Sequence, residues 1–344
     1  MKAILFQQHG GPEVLKYGEV PTPTFGPNEV LVELKAAALN HLDLWIRRGI
    51  PNWPTPLPHI PGSDGSGIVS EIGIGVSNVK VGDRVLISPG LSCGTCSACR
   101  AGDDNVCSTY HVLGMKEHGT YAEFVKVPAS NVLPIPEGLS FEEAAAVPLV
   151  FLTAWHMLVG LAKVQTGECV LVHGAGSGVG SAAIQIAKMF SARIITTAGS
   201  NEKLEKAKQL GADETVNYRT TDFVAEVRRL TAKQGVDIVI EHIGGEVFTK
   251  SITLLRRKGR MVTCGVTAGG IVSADLRYMF SRHLTVYGSF MGRTSELIRV
   301  LSFFPSRQLK PVVDSVFPLA QAAEAHSRME ERKHFGKIVL RVGE

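Results

Sequence analysis

The sequence predicts an α/β protein of two domains: a doubly wound parallel sheet and a β-barrel-like domain. Three observations predict it. Residues 1 to about 130 read as short strands punctuated by glycine and proline, strands alternate with helices after residue 140, and a glycine-rich loop at 173–180 stands between a strand and a helix. Short strands at close spacing suit a barrel. Alternating β and α elements imply a parallel sheet covered on both faces.

The early strands are 30–34, 67–72 and 83–87, separated by turn signals at Pro61-Gly62, Gly82-Asp83 and Pro89-Gly90. Ser140 with Glu143 forms a capping box that opens the first helix of the second rhythm. Residues 144–162 carry no charge and are long enough to span a bilayer. Pro148, Thr153, His156 and Gly160 interrupt them, so the expectation is a buried helix between domains, with no membrane partner. Strands follow at 169–173, 193–197, 236–240 and 260–264, and helices at 181–190 and at 202–210, the latter closed by Gly211. A helix at 319–332 and a strand at 337–341 finish the chain.

The 344 residues are 44% hydrophobic and 20% charged, an ordinary globular composition, and the net charge is +4. Lys and Arg are scattered, so nothing marks a nucleic-acid surface. Met1 leads directly into the apolar run of a first strand rather than a cleavable leader, so the expected compartment is the cytoplasm.

Four of the six cysteines, Cys93, Cys96, Cys99 and Cys107, fall within fifteen residues as C-x2-C-x2-C-x7-C. In a reducing compartment that spacing favours one tetrahedral zinc over two disulfides, with Zn–S bonds of about 2.3 Å. A closed four-thiolate site leaves no position for substrate, so the predicted zinc is structural.

The strand at 170–172 runs into His173, then Gly174, Gly176, Gly178 and Gly180 alternating with Ala175, Ser177 and Val179, then into a helix. Glycines let the backbone approach a pyrophosphate, and the helix N-terminus offers free amides and partial positive charge. Gly176, Ser177, Gly178, Val179 and Gly180 are therefore candidate cofactor residues. An acidic residue at the tip of the next strand would bind the ribose 2′-hydroxyl of NAD. Here that tip holds Ala198, Gly199 and Ser200 without a carboxylate. Ser200, Lys203, Tyr218 and Arg219 suit a 2′-phosphate instead, which predicts NADPH, with NADH possible.

These features, with Gly10–Leu15, Ala37–Asp43, Pro61–Gly67, Gly119–Glu123, Leu210–Asp213 and Phe335–Leu340, resemble the medium-chain dehydrogenase/reductase family over essentially the whole chain. The resemblance implies a GroES-like catalytic domain from residues 1–150 and 286–344, a Rossmann domain at 151–285 between them, and an active site between the domains. It also implies that Thr153, Gly265 and Ser289 lie along the cofactor, and that Lys337 reaches the pyrophosphate.

The zinc alcohol dehydrogenases of that family hold a catalytic zinc on Cys, on His followed by Glu, and on Cys or Asp. The aligned positions here are Asn40, Ser63-Asp64 and Leu149, which do not make a zinc site. Asn40 with Asp43 instead resembles the quinone oxidoreductase branch, most of which lacks the cysteine loop. Without a Lewis acid, suitable acceptors are electron-poor: quinones, enones and enoyl thioesters. Asn40 is the expected hydrogen-bond donor to a developing enolate. His41, Tyr110 or water could supply the proton; Asp43 and Ser63 complete the candidate catalytic set. The competing readings are an alcohol dehydrogenase with an atypical metal set, including Asp64 and His59, and a dinucleotide-binding protein without turnover. The apolar segment 287–291, in the family, pairs with its copy, so the expected partners are a small-molecule substrate and one or three further copies of the chain.

Overall fold

A computed structural model of the chain describes every residue except Asn52 and Glu344. It divides into two compact units, Met1–Leu149 with Arg293–Glu344, and Val150–Gly292. The return at residue 286 expected from sequence is corrected to 293, and the first division moves from 150 to 149. The strand Thr285–Gly288 extends the parallel sheet of the second unit by pairing with Leu255–Thr263, which holds the chain there.

In the first unit, Glu29–Ala38 is the hub of a seven-stranded sheet. It pairs antiparallel with Asp64–Ile72 along its length, with Phe124–Pro128 near its start and with Lys337–Arg341 near its end. Its last three residues, Ala36, Ala37 and Ala38, are all buried, as expected for a strand covered on both faces. Small side chains are needed here. At Gly67 a Cβ would lie 2.0 Å from the Glu33 carbonyl oxygen, so only glycine permits this strand approach. Ala145 and Ala146 close the same layer over Ala36, Ala38 and Val339.

The second unit is a six-stranded parallel sheet in the order Glu214–Asn217, Arg193–Ala198, Cys169–Val172, Val236–Glu241, Leu255–Thr263, Thr285–Gly288. Its core joins Leu171, Ile195, Val239 and Met261 of the strands to Val227, Phe248 and Ile252 of the helices. The crossover direction reverses between Cys169–Val172 and Val236–Glu241, the place where open α/β sheets receive ligands at their carboxyl ends.

Residues 144–162 are not one helix. Phe141–Ala145 ends, Pro148–Trp155 begins anew, and His156–Leu161 is wound as a π-helix. Pro148 explains the break, since proline is tolerated in a first turn but not inside a helix. No helix among the described residues is long and apolar enough to cross a membrane. The 319–332 helix shortens to Ala322–Glu330 after a single 3-10 turn, Leu319–Gln321.

Candidate functional site

The glycine-rich loop is built by three constraints. Ala175 N donates to Thr197 O at 2.9 Å, which ties the loop to the neighbouring strand. Gly174 takes φ +61°, and at Gly180 a Cβ would meet the Gly174 oxygen at 2.2 Å, so glycine is required at both positions. The helix starts at Gly178, three residues earlier than the sequence suggested, because Ser177 caps it: its Oγ accepts from Gly180 N at 2.8 Å. Gly176 is buried under the turn, while Gly178 and Val179 are half-exposed at the helix N-terminus, where amides have no intrahelical partner.

The end of the second strand is equally shaped. A Cβ on Gly199 would fall 2.7 Å from the Tyr218 hydroxyl and 3.1 Å from Arg219 Nε, so both side chains lie across Gly199. Ser200 caps Asn201–Gln209 by accepting from Lys203 N at 3.4 Å, which leaves its hydroxyl proton to give. Ser200, Tyr218 and Arg219 are thus placed around a strand tip without a carboxylate, with the Lys203 amide against the Ser200 hydroxyl.

The remaining cofactor candidates divide. Ser289 N donates to Thr263 O at 2.8 Å, while its Oγ is buried with no hydrogen-bond partner, a polar atom suited to a ligand amide. Gly265 packs against the His242 carbonyl, 3.1 Å from a built Cβ. Thr153 is buried, and its hydroxyl lies 3.9 Å from Met291 Sδ. The cradle at Gly174 and Gly180, the capped helix start and the orphan Ser289 hydroxyl fit a dinucleotide.

In the first unit, a polar centre is buried where the sequence placed the candidate catalytic residues. Asn40 is the extended residue before helix His41–Arg48, at φ −130°, so His41 is the first residue of that helix. Asp43 Oδ2 accepts from Asn40 N at 2.8 Å and from the Tyr121 hydroxyl at 3.0 Å. Burial, with a smaller contribution from Asp64, pushes the Asp43 carboxyl up to about 7. Asp43 is therefore a strand-to-helix corner, and Ser63 is fully buried with an unpartnered Oγ.

Two expectations are corrected here. Lys337 does not offer its ammonium to a pyrophosphate: Nζ donates to Leu39 O at 2.7 Å, Asn40 Oδ1 at 2.5 Å and Asp64 Oδ2 at 2.9 Å, using all three of its protons. Asn40 is not free to donate to a substrate: its Nδ2 gives to Asp64 Oδ2 at 3.0 Å and to Ala38 O at 3.4 Å. Asp64 Oδ1 accepts from Leu149 N at 2.9 Å, so both carboxylate oxygens are engaged. The sequence offered Asp64 only as a candidate metal ligand, not as the partner of Lys337 and Asn40, and it gave Tyr121 no role in this centre.

His41 is the candidate that keeps chemical freedom. Burial, and then the charges of Arg332, Lys337 and Arg48, lower its imidazole to about 4, so it is neutral near pH 7. Burial raises the Tyr110 phenol well above its ordinary range, which disfavours it as a proton source. His59 Nε2 lies 2.7 Å from Gly114 O and Asp64 is engaged with Lys337, so the alternative metal pair is not assembled.

The four cysteines do converge. Their Sγ atoms all lie within 4.8 Å of one another, with separations of 3.5 Å for Cys96–Cys99 and for Cys93–Cys107 and 4.0 Å for Cys93–Cys99. Four thiolates on a zinc at about 2.3 Å stand roughly 3.8 Å apart, so the cluster fits one tetrahedral ion. The sulfurs also accept backbone donors, Cys96 N to Cys93 at 3.3 Å and Cys93 N to Cys107 at 3.4 Å. Gly94 and Gly102 make the turns at φ +71° and +82°. The loop is anchored beyond itself by Asp103 to Arg293 at 2.8 Å and by Asp104 to the Thr294 hydroxyl at 2.7 Å.

Comparison with known proteins agrees with this architecture. Residues 26–137 match the alcohol dehydrogenase GroES-like domain, and residues 178–306 match the zinc-binding dehydrogenase family. Human quinone oxidoreductase is 31% identical over 96% of this chain and 94% of its own. A crystal structure described as an NAD-dependent alcohol dehydrogenase is 51% identical, with a TM-score of 0.96 over 100% of both chains. Crotonyl-CoA carboxylase/reductase AntE, solved with NADP, is 27% identical with a TM-score of 0.93 over 99% of this chain and 94% of that one. With a GroES-like unit, a parallel-sheet unit carrying a glycine-rich loop, and relatives that include quinone oxidoreductase, alcohol dehydrogenase and crotonyl-CoA carboxylase/reductase, the chain belongs to the medium-chain dehydrogenase/reductase family and is an oxidoreductase.

Proposed function

We propose that the chain is an NADPH-dependent reductase that passes hydride to an electron-poor acceptor, a quinone or the β-carbon of an α,β-unsaturated carbonyl or enoyl thioester, without a catalytic metal, and that Cys93, Cys96, Cys99 and Cys107 hold one structural zinc. The observation that carries the metal-free reading is Lys337. Its ammonium already sits among Leu39 O, Asn40 Oδ1 and Asp64 Oδ2, next to the positions that align with catalytic zinc ligands. A divalent cation brought there would have to displace this ammonium from the Asp64 carboxylate and the Asn40 oxygen that it already occupies.

Bound, the dinucleotide supplies the hydride. The chain's own groups do the rest. The Ser177–Gly180 helix start holds the diphosphate through backbone amides. Ser200, Lys203, Tyr218 and Arg219 favour the 2′-phosphate. His41, held neutral, fits a hydrogen-bond donor to a developing enolate oxygen rather than an acid, so the proton on carbon comes from water.

A second copy of the chain is the proposed partner. Thr285–Gly288 ends the sheet with one edge unpaired, and Ile271, Leu276 and Phe280 nearby in sequence are exposed at 97%, 70% and 69%. The strand begins two residues before the apolar segment 287–291 and ends three residues before its end, since the paired register stops at Gly288.

The test is NADPH and NADH oxidation with a quinone, an enone and a simple ketone, beside zinc per chain by elemental analysis. One zinc with NADPH-linked reduction of the quinone or enone supports the proposal. The 51% identity to a structure described as an NAD-dependent alcohol dehydrogenase favours a second reading, which predicts NADH-linked alcohol turnover. That result, with two zincs per chain, overturns the first.

A further inference from the structure

We propose that His242 is a positioning residue for the cofactor's pyrophosphate, acting through the hydroxyl of Ser177. His242 follows the strand Val236–Glu241, at the point where the crossovers of the sheet reverse and ligands are received. Its Nε2 lies 3.0 Å from Ser177 Oγ. The ring also lies against Gly174, where a Cβ would come within 3.0 Å of Nε2, and its backbone oxygen packs on Gly265. One residue therefore touches the first glycine of the loop, the cap of its helix and the turn after the next strand.

The hydroxyl of Ser177 has one proton to give and two lone pairs to fill. Gly180 N fills one at 2.8 Å. When Nε2 carries the ring proton it donates into the second lone pair, and the Ser177 proton turns outward to a phosphate oxygen at the helix start. When Nε2 is bare it takes the Ser177 proton, and the loop offers the phosphate backbone amides alone. The surrounding polar groups are already committed. Glu241 accepts from Ile243 N at 2.7 Å, Gly244 N at 2.6 Å and the Thr263 hydroxyl at 2.8 Å. His173 lies 3.1 Å from Thr197 Oγ1 and 2.7 Å from Ser251 Oγ. Neither competes for Ser177, so the orientation of its hydroxyl is left to His242.

The inference rests on the dinucleotide reading of the loop. The experiment measures Kd for NADPH and NADH by nucleotide fluorescence for wild type, His242→Ala, His242→Gln, Ser177→Ala and the His242→Ala/Ser177→Ala double variant, with kcat alongside. His242→Ala is expected to weaken both dinucleotides about tenfold with kcat unchanged, since both carry the diphosphate. Glutamine, whose side-chain N–H can donate to Oγ, restores most of the affinity. The double variant binds no worse than Ser177→Ala alone, the mark of action through that residue. Additive losses, a glutamine variant as weak as alanine, or a loss confined to NADPH overturn the role of His242 and leave the dinucleotide reading standing. A wild-type protein that binds neither dinucleotide overturns both.

Discussion

Lys337 and Asp64 form an ion pair of 2.9 Å with side chains only 4% and 0% exposed. Asn40 closes it into a ring, accepting from the ammonium through Oδ1 and donating to the carboxylate through Nδ2. The pair joins the last strand of the chain to the start of Asp64–Ile72, and it makes the charge of this centre an internal property of the fold.

Lys337→Ala leaves the Asp64 carboxylate buried beside a lost partner. The expected loss is on the order of 3–5 kcal/mol, read as a lower urea midpoint. Lys337→Met combined with Asp64→Asn removes both charges while keeping an acceptor for Leu149 N, and should recover most of it.

Asp43 sets a pH dependence of stability. Its folded carboxyl is raised from 3.8 to about 7, so between those values the native state holds a proton that the unfolded chain has released. Its contribution to stability therefore declines as pH rises from about 4 to about 7, by an amount on the order of a few kcal/mol. Urea midpoints at pH 5 and pH 7.5 should differ less in Asp43→Asn, whose amide oxygen still accepts from Asn40 N and Tyr121. An unchanged difference would remove Asp43 from the account.

Ser200→Asp tests the 2′-phosphate site. Aspartate caps a helix as well as serine, so Asn201–Gln209 should keep its start. The added charge repels the phosphate and suits a ribose diol, so the NADPH-to-NADH ratio of kcat/KM should fall by at least about tenfold. A ratio that does not move would mean that the nucleotide end lies elsewhere.

Cys96→Ser should abolish the proposed zinc and loosen residues 93–107. Because Asp103 and Asp104 bind Arg293 and Thr294, amide exchange should rise in Thr294–Leu301 as well as in the loop. Exchange confined to the loop would show that those contacts hold without metal.

Phe280→Asp should shift sedimentation toward a single chain if a second copy covers this face, with the melting temperature at low concentration little changed, since the side chain is exposed.

Much of this was legible in the residues because it depends on local patterning. The parallel sheet followed from alternating elements, and the phosphate loop from glycines whose necessity is steric at Gly174 and Gly180. The cysteine cluster followed from spacing alone. What was not legible depends on distant partners. Nothing near Lys337 announces that its ammonium turns inward to Asn40 and Asp64, and nothing near Asn40 says that its amide is fully engaged. The helix start at Gly178 was misplaced because glycines argue against helix, whereas Ser177 capping overrides them. Proline at 148 was noted as an interruption, yet its consequence, a fresh helix start, needed the structure.

The pairing of Lys337–Arg341 with Glu29–Ala38 has a consequence in time. Lys337 and Leu39, which share a hydrogen bond, stand 298 residues apart. At a synthesis rate of roughly 5–20 residues per second, the partner of the hub strand leaves the ribosome some 15–60 s after it. Throughout that interval the second unit, encoded wholly between them, can complete its own sheet while the first waits with an open seam. The newborn chain therefore carries its exposed edge for about 15–60 s, and a ribosome-associated chaperone would find it on the first unit and not the second.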